Sequence, residues 1–127
     1  MKGRYSFPRS ERLKSSSTIS ELFQKGHAIS LAPLFARYRI REEPVNGSNL
    51  QIAFTVSKKN FQKAVTRNRI KRLMREAFRL HAPPLRDKLR SMNKCLELVI
   101  VFGGKELPDY ETVEKKMTRL LGKIENG

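Results

Sequence analysis

Between residues 50 and 102 the apolar pattern changes period twice, and that switch limits the possible folds more than any other feature. Leu50-Gln51-Ile52-Ala53-Phe54-Thr55-Val56 has the composition of a strand. From about 60 to 81, Ile70, Leu73, Met74, Ala77 and Phe78 recur at the spacing of one helix face. Pro83-Pro84 closes that segment. Leu96 to Phe102 is a short apolar run with β-branched residues, which predicts a buried strand. Strand, helix and strand in this order make a β-α-β unit, and its two strands are parallel if they are neighbours in one sheet.

The flanking segments add elements. Ser15-Ser16-Ser17-Thr18 offers helix caps, Ile19, Leu22 and Phe23 follow at i, i+3, i+4, and Gly26 is a stop, so a first helix is expected over about 17–25. Leu34, Ala36, Tyr38 and Ile40 alternate with Phe35, Arg37, Arg39 and Arg41, which is strand periodicity. Residues 42–48 contain Asn46-Gly47, so the strands on either side are expected to pair as a hairpin with a slightly long loop. Residues 85–94 are expected to be a loop or an extra turn. Asp109 is the expected cap of a last helix with Val113, Met117, Leu120, Leu121 and Ile124 on its apolar face. The order α-ββ-α-β-α predicts a two-layer α/β (α+β) sandwich on a small mixed sheet. At 127 residues one domain is expected, here residues 15–127, preceded by a basic extended arm over 1–14.

Charge decides the class of partner. The chain carries 27 Lys and Arg against 12 Asp and Glu, a net +15. Between Lys58 and Arg90 stand twelve basic residues against Glu76 and Asp87, which places +10 of the +15 in one segment. On the helix, Asn68, Arg72, Arg75 and Arg79 fall opposite the apolar face, with Arg69 and Lys71 beside them. Like charges at i, i+4 repel, and a polyanion laid along the stripe removes the repulsion. A Lys-rich helix is ordinarily just a solvated face. The arginine density here favours phosphate, which the planar guanidinium can grip with two hydrogen bonds. Nucleic acid leads as partner, with an anionic membrane surface second. Aromatics on the first helix and the strands, Phe23, Phe35, Tyr38 and Phe54, are either core or, on an open sheet face, platforms for unpaired bases.

Several chemistries lose support. Cys95 is the only cysteine, so no intrachain disulfide is possible, and its apolar neighbours suggest a small buried residue. His27 and His81 lack metal-ligand spacing. The carboxylates do not cluster as a two-metal nuclease requires, and Gly103-Gly104-Lys105 lacks the spacing of a phosphate loop. No apolar run approaches the roughly 20 residues of a membrane span, and no signal-peptide core follows the basic start, so a cytoplasmic protein is expected. The residues alone describe a small basic RNA- or DNA-binding module without chemistry of its own.

Thr55-Val56-Ser57-Lys58-Lys59, followed by the run from Lys63 to Arg79 with Arg67-Asn68-Arg69-Ile70-Lys71-Arg72-Leu73 inside it, closely resembles the protein subunits of bacterial ribonuclease P. Phe7-Pro8-Arg9-Ser10-Glu11-Arg12-Leu13-Lys14 and Leu22-Phe23-Gln24-Lys25-Gly26 resemble the opening of that family. The likeness extends over about 5–125. It implies an accessory subunit of an endoribonuclease in which a large RNA is the catalyst, removing the 5′ leader of precursor transfer RNA. Lys58, Lys59, Arg67, Asn68, Arg69, Lys71, Arg72, Arg75 and Arg79 would then bind the RNA subunit. Ile19, Phe23, Arg37, Tyr38 and Thr55 would line the cleft for the leader, although the family pattern has an aromatic where Ile19 stands. The resemblance further implies a left-handed β-α-β crossover and no catalytic residue or metal site on the protein. Mg2+ would enter through the RNA, and neither a further protein partner nor a membrane would be needed. A stand-alone RNA-binding or ribosome-associated protein is the alternative, and a protein-only nuclease is a third.

Overall fold

The computed structural model describes residues 9–126. After a 3-10 turn at Arg9–Glu11, the order is α1 (Ser16–Lys25), β1 (His27–Leu31), β2 (Leu34–Arg41), β3 (Leu50–Val56), α2 (Ala64–His81), α3 (Pro83–Met92), β4 (Cys95–Phe102) and α4 (Tyr110–Asn126). Local chemistry sets many of the boundaries. Ser15 Oγ accepts from Thr18 N–H at 3.2 Å and caps α1. Asp109 Oδ1 accepts from Thr112 N–H at 2.8 Å and starts α4, as expected from the sequence.

The strands form one mixed sheet in the order β1-β2-β4-β3. β3 and β4 are parallel, with Ile52 opposite Leu98 and Phe54 opposite Ile100. The expected hairpin does not form, because β4 lies between β2 and β3. The Asn-Gly turn signal is satisfied within the loop: Asn46 and Gly47 take positive φ values of 53° and 73° and close a bridge between Val45 and Ser48. Apart from Glu97, β4 is apolar on both faces and buried almost throughout, so its stable position is central, with a partner on each side.

Leu34, Ala36, Ile52, Leu98, Ile100 and Phe102 point from the sheet into the main core, where Ile70, Met74 and Phe78 of α2 and Met117 and Leu120 of α4 meet them. α1 lies on the opposite face, with Leu22 buried on Val99 beside Leu13, Ile19 and Ala53. Two elements go beyond the sequence reading. Short β1 pairs with β2, and 85–94 is mostly the helix α3. Pro83 and Pro84 occupy its first turn, where a missing N–H costs nothing, and Leu85 and Leu89 are buried one turn apart. α2 begins at Ala64 rather than near 60. Residues 57–63 turn back instead, Phe61 N–H donating to Ser57 O and its ring packing 6.0 Å from Phe102.

Of the expected arm, residues 1–8 lie outside the described residues. Within 9–14, Leu13 is buried and its N–H donates to Ile52 O at 3.0 Å.

Candidate nucleic-acid interface

On α2, the burial of Ile70, Met74, Ala77 and Phe78 turns the opposite side outward. Asn68, Arg69 and Arg72 are exposed, Lys71 and Arg75 are half-buried at the flanks, and Lys58 and Lys59 are exposed in the preceding turn. Among the described residues, none of these six cations makes an ion pair. Burial lowers the pKa of Arg75, and the nearby guanidinium groups of Arg12 and Arg72 lower it further. A positive group held beside two others is an electrostatic invitation to an anion.

Two residues of the expected set are already engaged. Arg67 turns toward the β3–α2 turn, and its Nη1 donates to Phe61 O and Gln62 O, both at 2.8 Å. It holds that turn against α2 and keeps its other donors free. Arg79 pairs with Glu76 one turn before it, so its charge is largely spoken for.

The strand register defines a second surface. On the α1 side, Arg39, Glu97 and Gln51 form one row, Arg37, Val99 and Ala53 the next, and Phe35, Val101 and Thr55 a third. α1 covers the first two rows. Arg39 Nε donates to Glu97 Oε1 at 2.5 Å while Nη2 reaches Glu21 of α1 at 3.0 Å, tying helix to sheet. The Glu97 hydrogen bond is the main reason that Arg39 holds its proton more tightly than usual. Glu97 itself is 4% exposed on the central strand. Arg37 Nη1 donates to Gly26 O at 3.1 Å and secures the end of α1. The third row stays open. Phe35 is 38% exposed on it, and Phe23 is 42% exposed on α1. A Cβ on Gly103 would come within 2.6 Å of the Phe35 ring, so only glycine leaves that ring its place.

Ile19, Phe23, Arg37 and Thr55 therefore share the α1 face. Tyr38 does not. It points the other way, into the helix layer, half-buried with its ring 5.2 Å from His27. Strand alternation sends neighbours to opposite faces, so Arg37 and Tyr38 cannot line one cleft. Phe35, not included among the expected cleft residues, occupies the open row instead. Its alternation with Leu34 and Ala36, both core, was the available signal.

Among the described residues no three His, Cys, Asp or Glu side chains gather to hold a metal. Cys95 is buried, and burial pushes its thiol up to about 11. No helix of the described residues is long and apolar enough to cross a membrane.

Residues 7–125 match the profile of the family described as Ribonuclease P. The "Ribonuclease P protein component" of Porphyromonas gingivalis is 36% identical over 120 residues, covering 94% of this chain and 87% of that one. That of Dictyoglomus thermophilum is 38% identical over 109 residues, covering 86% and 82%. The fold is similar to that of the RNase P protein of Staphylococcus aureus, with a TM-score of 0.71 and 18% identity over 90% of this chain and 94% of that one. The RNase P protein of Thermotoga maritima gives 0.67 and 24% over 89% and 96%. A basic helix, an open sheet face and a match along nearly the whole chain agree: this chain belongs to the ribonuclease P protein family, the accessory protein subunits of the endoribonuclease that matures transfer RNA 5′ ends.

Proposed function

We propose that the chain divides its work between its two surfaces. The outer side of α2, with Lys58 and Lys59, docks on the catalytic RNA subunit. The open row beside α1, with Phe23, Phe35 and Thr55, holds the single-stranded 5′ leader of precursor transfer RNA. The observation that carries this reading is the set of unpaired cations on and before one helix, Lys58, Lys59, Arg69, Lys71, Arg72 and Arg75. Each phosphate neutralised by such a group steepens the salt dependence of affinity by about 0.7–0.9 log units per log unit of salt. Ile19 gives the leader an aliphatic wall, and Phe23 and Phe35 supply the ring surface on which bases stack. The protein contributes position and charge neutralisation. Mg2+ enters with the RNA, in the cytoplasm, and no further protein is required.

Cleavage of precursor transfer RNA at low magnesium tests the proposal. Strong stimulation is expected only with the cognate RNA subunit present. Cleavage by the protein alone would assign the chemistry to the chain, and no stimulation in either case would leave a stand-alone RNA-binding protein.

A further inference from the structure

The segment before α1 is held at four points. Ser10 O accepts from the Gln51 side chain. The Glu11 carboxylate receives both Nε and Nη2 of Arg86 on α3, at 3.2 and 2.9 Å. Arg12 bridges Ile52 in parallel, and Leu13 N–H donates to Ile52 O while its side chain is buried. The segment is thus a short extra strand on the outer edge of β3.

This register decides where Arg12 points. Residues paired across neighbouring strands face the same side, and Ile52 faces the helix layer. Arg12 therefore leaves the sheet on the α2 side, while Leu13 turns to the α1 side beside Leu22. The charge of Arg12 reaches Arg75, and so does that of Arg72. Among the described residues none of the three has a carboxylate partner. An exposed arginine can swing away from like charge, but the backbone of residue 12 cannot, because the residues on either side are anchored. Half-buried Arg75 is therefore kept within reach of a like charge from the β3 edge and of another from its own helix, at a cost that an anion would repay.

We infer that Arg12, Arg72 and Arg75 form one phosphate clamp for the backbone of the catalytic RNA subunit, with the pinned segment before α1 as a fixed part of the docking surface. This rests on the assignment of α2 to that RNA. The leader is not the occupant, since the sheet separates Arg12 from the open row beside α1. Glu11 and Arg86 are positioning residues: their pair sets the position of residue 12 without touching RNA.

Binding of the full-length protein to the cognate RNA subunit across a salt series tests the clamp. Arg12→Ala is expected to weaken binding by about tenfold or more, the scale of a lost charge-assisted hydrogen bond. Its salt slope should become shallower by about 0.7–0.9. Arg12→Lys should keep the slope and lose part of the affinity. The unfolding midpoint of free Arg12→Ala should not fall, because an exposed like charge is removed. The combined loss in Arg12→Ala/Arg75→Ala should be smaller than the product of the single losses, as for groups sharing one phosphate. Glu11→Gln separates geometry from charge. Charge alone predicts tighter binding, whereas a loosened clamp predicts weaker binding, which is the expected result. An unchanged slope in Arg12→Ala beside a lowered slope in Arg72→Ala would overturn the clamp alone. An unchanged slope in both would overturn the docking role of α2. A loss in Arg12→Ala confined to leader-bearing substrate would move Arg12 to the leader and overturn the inference.

Discussion

Removing Arg39 tests how the sheet holds α1. Glu97 is 4% exposed in the central strand, and its strongest partner is Arg39 Nε at 2.5 Å. Arg41 approaches the same oxygen only at 4.0 Å from an exposed position. Arg39→Met would leave a buried carboxylate with that distant partner. Breaking a buried pair on one side costs about 3–5 kcal/mol. The Arg39 side chain is 27% exposed, so water compensates in part and we expect about 2–3 kcal/mol. The lost contact to Glu21 adds under about 1 kcal/mol, because that pair is exposed. Against a total stability of about 5–15 kcal/mol this is a large fraction. Urea unfolding followed by circular dichroism would measure it. The double variant Arg39→Met/Glu97→Leu should recover most of the loss, since an apolar pair of similar volume removes the stranded charge. Hydrogen exchange should quicken in α1 in the single variant. A single-variant cost below about 1 kcal/mol, or a double variant no more stable than the single one, would refute the reasoning.

Phe35→Ala should weaken binding of leader-bearing substrate more than of leaderless product, whereas Tyr38→Ala should lower stability and weaken both equally; the reverse pattern in a binding assay would place the leader on the other face. Cys95 should resist alkylation in the native protein near pH 8 and react only on unfolding. Its thiol keeps its proton to about 11 when folded, against an ordinary 9.0. The unfolded chain ionises first, so stability should fall between pH 9 and 11 by up to ~2–3 kcal/mol relative to Cys95→Ala. Parallel pH curves for the two proteins would contradict that burial.

Much of the architecture was legible because it depends on short-range pattern. The helical spacing from Ile70 to Phe78 placed the buried side of α2 and hence the exposed arginines. The Leu96–Phe102 run announced a strand buried on both faces. β1 was missed because five residues with only Ile29 and Leu31 half-buried give too weak an alternation. α3 was missed because paired prolines end helices and also begin them.

By itself the sequence determined α1, α2, α4 and three of the four strands, the concentration of charge around one helix and the family signature around Arg67-Asn68-Arg69. These follow from residue identity and local spacing. Only the tertiary structure decided that β4 enters between β2 and β3, since strand order is a competition among distant segments for the central position. It also decided which face each side chain joins. Tyr38 went to the helix layer, Phe35 kept the open row, Arg39 became a tie for α1, and Arg12 came within electrostatic reach of Arg75. Periodicity divides a strand into two sides, but only the packing of helices on both faces of the sheet settles which side meets core and which stays open.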